Sequence, residues 1–110
     1  MTDSLNPGSQ IADASGLTGI MDQSARLESI YYNAQDDGIS SAAVIAANLD
    51  IEDQLVVIDS QLANPMEPAE ALRLWQQRVD LLDQGIALNR TNAEYNRNNR
   101  SFDLAMASLN

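Results

Sequence analysis

Leu74, Leu81, Leu88, Tyr95, Phe102 and Leu109 recur at an unbroken interval of seven residues, and this repeat restricts the fold more than any other feature of the chain. On a helix the repeat makes one apolar stripe that drifts by about 20° per heptad and favours left-handed wrapping around a partner. Trp75, Val79, Leu82 and Ile86 line an adjoining strip, so residues 68–109 read as one long amphipathic helix. Gly85 weakens it locally, by roughly 1 kcal/mol relative to Ala.

The segment before this helix, NPMEP from Asn64 to Pro68, is the clearest turn in the chain. Pro65 biases Asn64 away from helical geometry, and Pro68 suits a first helical turn, with Glu67 and Glu70 near the positive end of the helix dipole. Upstream, Val44, Asn48, Ile51, Leu55, Ile58 and Leu62 step 4-3-4-3-4, an a/d seam with one polar member. A helix is therefore expected over about 40–63, capped by Ser40 or Ser41. Leu17, Ile20, Met21, Leu27, Ile30, Tyr31 and Ala34 predict a shorter helix over about 17–35, ended by QDDGIS. Residues 1–16 show no sustained period and read as a disordered tail. The expected fold is all-α: a helical hairpin with a long C-terminal helix, a short additional N-terminal helix and that tail, with residues 17–110 as one domain.

The helix over 40–63 can pair with an equal length beyond the turn, so the last helix outruns it near residue 91. The overhang carries Tyr95, Phe102, Leu104, Met106 and Leu109, which only the first helix or another chain can cover. So narrow a core seldom suffices without metal, disulfide or oligomerisation, and self-assembly is the economical expectation. Asn89 to Ser101 also contains five Asn and three Arg, a stretch that should gain order from lateral contacts.

Composition narrows the chemistry. The chain has no His or Cys, and all six cations are Arg, which removes imidazole catalysis, thiol nucleophiles, Schiff-base lysines and disulfides. No catalytic residue, metal or cofactor is expected, and no GxSxG or phosphate loop occurs. The pairs Asp36/Asp37, Glu52/Asp53 and Asp80/Asp83 read as solvated surface charge. Asn33, Gln35, Asp37, Gly38 and Ser41 fit part of a calcium loop, but Val44 occupies the position of its closing Glu. Sixteen acids against six Arg give a net charge of −10, which argues against nucleic acid as a partner. The longest apolar run, Ala42 to Ala47, is too short for membrane insertion. The charge is uneven: residues 1–63 hold ten acids and one Arg (−9), residues 64–110 six acids and five Arg (−1), so contacts are expected to concentrate in the second half.

The stretch LANPMEPAEALRLWQQRVDLLDQGIALNR, within about Asn48 to Asn110, resembles the small helical-hairpin subunits of type III secretion systems, the needle protein and its inner-rod relative. The residues that carry the likeness are Asn64 and Pro65 at the turn and Leu72, Leu74, Trp75, Gln76 and Gln77 beyond it. The resemblance implies a structural subunit, not an enzyme, that stacks helically around a narrow export conduit with its C-terminal helix toward the lumen. It implies other secretion-apparatus subunits and a cytoplasmic chaperone as partners. It also implies export to the bacterial surface or a periplasm-spanning apparatus without a Sec signal, consistent with the N-terminus MTDSLNPGSQ.

On this reading Leu74, Trp75, Val79, Leu81, Leu82, Ile86, Leu88, Tyr95, Phe102 and Leu109 pack subunits, while Asn89, Asn92, Asn96, Asn99 and Arg100 face a polar lumen to which unfolded cargo does not adhere. The alternative is a cytoplasmic helical adaptor, chaperone or regulator that binds one partner helix along the same seam.

Overall fold

The computed structural model describes the backbone of residues 5–35 and 40–108, and side chains over 16–35, 40–99 and Met106. It contains three helices, α1 (Leu5–Ala34), α2 (Ala42–Leu62) and α3 (Pro68–Ser108), and no strand among the described residues. The all-α hairpin with a long C-terminal helix and an additional N-terminal helix is therefore the observed architecture.

The Ser41 side chain caps α2 by accepting from Val44 N at 3.2 Å. At the other end Ala63 N donates to Asp59 O and Asn64 N to Gln61 O, both at 3.1 Å, which uses carbonyls the helix would otherwise leave unpaired. α3 then opens at Pro68, whose missing N–H removes no helical hydrogen bond there, and Glu70 occupies its first turn.

α1 is longer than the short helix expected over 17–35. Its backbone is helical from Leu5, so the expected boundary at Leu17 is not a break in the chain. Pro7 falls in the first turn, where the same tolerance applies. Residues 1–4 of the expected tail lie outside the described residues, as do Asp36 to Ile39 of the first connection.

Cross-helix contacts set the directions. Ser24 meets Arg78, and Tyr31 packs on Gly85, so α1 and α3 run parallel. Asp59 meets Arg78, Asn48 meets Asn89 and Ser40 meets Asn92, so α2 runs antiparallel to α3. α3 packs against both other helices, whereas α1 and α2 reach each other through side chains. The molecule is correspondingly drawn out, with extents of 82 × 24 × 14 Å.

Ile51, Leu55 and Ile58 of the predicted α2 seam are buried against Leu74, Leu81, Leu82 and Ile86 of α3, with Tyr31 entering from α1. Leu27, Leu62, Met66 and Leu88 close the edges. Each fully buried aliphatic side chain contributes about 1.5–3 kcal/mol. Leu74, Val79, Leu81, Leu82 and Ile86, expected to pack one subunit on another, are thus buried inside the chain itself.

Candidate assembly surface and the clamps that position it

Two polar clamps hold the helices in register and so determine which surfaces remain outside. At the first, Arg78 of α3 donates through Nε to Asp59 Oδ1 at 2.8 Å, through Nη1 to Ser24 Oγ at 2.8 Å, and through Nη2 to Glu28 Oε1 at 2.5 Å. One guanidinium fork thereby ties α1 and α2 to α3, its carbon 5.9 Å from the centre of the Trp75 ring. Burial works against the Arg78 charge, but the bonds to Asp59 and Glu28 outweigh it and raise the pKa above the usual arginine value. Ser24 is fully buried, and the periodicity of α1 gave no sign of it.

The second clamp centres on Asn48, the polar member of the α2 seam. Its Nδ2 donates to Asn89 Oδ1 at 3.1 Å, and Asn89 Nδ2 donates back to Asn48 Oδ1 at 2.8 Å. Asn89 Nδ2 also reaches Gly85 O at 2.7 Å, and Asn48 Nδ2 reaches Val44 O at 3.2 Å. The Tyr31 hydroxyl lies 2.9 Å from Asn48 Oδ1 and 3.3 Å from Glu52 Oε2, while Gln35 donates to the same Glu52 oxygen at 3.4 Å. Burial and the Glu52 charge push the Tyr31 pKa up to about 12. Every buried side-chain polar atom among the described residues has a hydrogen-bond partner.

Gly85 permits this arrangement. A Cβ there would lie 2.4 Å from Cε1 and 2.6 Å from Cδ1 of Tyr31, closer than real atoms approach. The residue that weakens the isolated helix is thus where the tyrosine ring meets the α3 backbone.

Among the described residues, three surfaces bear on assembly. Along the heptad stripe of α3, Leu74 and Leu81 are buried, Leu88 is partly buried and Tyr95 is exposed; Phe102 and Leu109 lie outside the described side chains. Trp75 is partly buried. The second surface is a stripe on α2 away from its seam: Ile45, Leu49 and Val56 are all exposed, at spacings of four and seven. Its spacing is visible in the sequence, but it shares a helix with a stronger apolar seam on another side. Ile45 and Leu49 border a cavity of about 220 Å³ that also touches Gln35, Ser40, Asn48, Glu52 and Asn89. The third is a cleft of about 570 Å³ between the end of α1 and α3, lined by Ile30, Asn33, Ala34, Arg90, Ala93, Glu94 and Arg97.

The expected lumen residues do not share one environment. Asn89 is buried between the helices, a correction to its expected place on a solvent channel, because it answers Asn48 across the α2–α3 seam. Asn92 is partly buried and donates to Ser40 Oγ at 3.2 Å. Asn96 is partly buried and Asn99 exposed, while the Arg100 side chain lies outside the described set. Asp53, Asp80 and Asp83 are exposed, and no cluster of metal-ligating side chains occurs among the described residues. No helix among those residues is long and apolar enough to cross a membrane.

Comparison of the chain with protein-family profiles, with characterised proteins and with solved structures finds no match.

Proposed function

We propose that this chain is a structural subunit that assembles helically around a protein-export conduit, as needle and inner-rod subunits of type III secretion systems do. One observation carries the reading: exposure climbs along a single stripe of α3, from 3% at Leu74 and 8% at Leu81 to 62% at Tyr95. The apolar repeat continues where its intramolecular partner stops, since α2 begins at Ala42 and Ser40 already lies opposite Asn92. Met106 is likewise exposed. A stripe that is core at one end and solvent-facing at the other suits a surface completed by another chain.

Asn89 and Asn92 are bonded within the bundle; in this proposal the polar wall of the conduit belongs to the rest of the Asn/Arg stretch, with the exposed Asn99 on it. The other apparatus subunits, an export chaperone and Sec-independent export belong to the same proposal.

Concentration-dependent light scattering of the purified full-length chain, with negative-stain microscopy, tests it. Growth into filaments is expected. A monomer at every concentration overturns the reading, and a discrete dimer favours the helical adaptor.

A further inference from the structure

We propose that the acidic outer face of α2 on one copy seats in the Arg-edged cleft between α1 and α3 of the next. This head-to-tail contact rests on the assembly reading above and adds to the α3 stripe a second pair of surfaces, filament growth requiring both contacts. On the first, Ile45, Leu49 and Val56 are 51%, 56% and 63% exposed. Glu52 and Asp53 flank them, and α2 carries four acids with no base. Two such faces would repel each other, so this stripe does not pair with itself.

The second surface has the opposite character. Ile30 and Ala93 contribute apolar surface to the cleft of about 570 Å³, beside Arg90 and Arg97. Both arginines are exposed, and neither belongs to an ion pair among the described residues; Glu94 is the acid on the same lining. Apolar surface edged by cations matches apolar surface edged by carboxylates.

A single molecule cannot join its own two surfaces. Tyr31 at the end of α1 bonds Asn48 and Glu52 of α2, whereas Asn33, two residues on and so about 200° around the same helix, lines the cleft. The α2 face and the cleft therefore lie on different sides of the end of α1, and a second copy must supply the match. Contact between two different patches repeats from copy to copy and builds an open filament unless the rotation closes a ring.

Two full-length variants test this. Leu49→Arg blocks the α2 face and keeps the cleft; Arg90→Glu with Arg97→Glu blocks the cleft and keeps the α2 face. All three positions are exposed, and circular dichroism checks that each variant keeps its helix content. Each variant alone should stay monomeric, raising the concentration needed for assembly by roughly tenfold or more. Mixed in equal amounts, they should form a 1:1 dimer that grows no further, because each supplies the surface the other lacks. Assembly of the wild-type chain without this complementation, or wild-type-like assembly of either variant, overturns the proposed contact and leaves the assembly reading standing. A wild-type chain that never assembles overturns both.

Discussion

Asn48 and Asn89 exchange hydrogen bonds across the α2–α3 seam, each amide nitrogen on the other's oxygen at 3.1 and 2.8 Å. A slip of α2 along α3 by one turn would put the Asn89 amide against Val44 or Ile51 instead of Asn48. Polar pairs in apolar seams fix register in this way. Asn48→Leu should cost about 1–3 kcal/mol, because it leaves the Asn89 amide buried with fewer partners. Urea unfolding of both single variants and the double variant should show a coupling of roughly 0.5–3 kcal/mol, and strict additivity would contradict the pairing.

Gly85→Ala sets two effects in opposition. Alanine favours a helix by about 1 kcal/mol, but its Cβ would fall on the Tyr31 ring, and overpacking costs about 1–3 kcal/mol. A net loss of thermal stability is expected in the wild-type background. The same substitution made together with Tyr31→Ala should be stabilising relative to Tyr31→Ala alone, a reversal that thermal melts would detect.

Tyr31 also predicts how stability responds to alkali. Its pKa is raised from 10.0 to about 12, so between those values the unfolded chain releases a proton that the folded chain holds. The contribution is fully present below pH 10 and is lost as pH rises toward 12. Tyr32 shifts in the same direction, through burial and the charges of Glu52 and Glu28. Tyr31→Phe should flatten part of the alkaline decline in unfolding free energy; an unchanged slope would contradict the assignment.

Charged substitutions along the heptad stripe should divide into two classes. Leu81→Glu places a carboxylate in the core and should unfold the chain, as large core disruptions do at about 2–5 kcal/mol. Tyr95→Glu, at an exposed position, should leave the melting temperature nearly unchanged and still prevent assembly. Equal losses of helix signal in the two variants would contradict this division.

How much of this was legible before the structure follows the range of the interactions. The NPMEP turn, the α2 seam and the long final helix depend on neighbours within a turn or two, and the residue pattern reports them directly. In sequence Asn89 reads as part of the Asn-rich stretch, because its partner, Asn48, is 41 residues away. No local pattern records such a pairing. Ser24 is hidden for the same reason: its partner Arg78 is 54 residues distant. Gly85 could be recognised as a weak point, but its purpose requires knowing that the Tyr31 ring lies against it. The outer stripe of α2 was readable in principle from the spacing of Ile45, Leu49 and Val56.

The Arg78 fork has a consequence for how the molecule comes apart. The same guanidinium grips Ser24 and Glu28 on one side and Asp59 on the other, so withdrawing α1 strips it of two of these three partners and withdrawing α2 of the third, and either loosens its hold on what remains. The bundle around this residue should therefore open as one cooperative block, with amide protons of all three helices near it exchanging with solvent at a common rate.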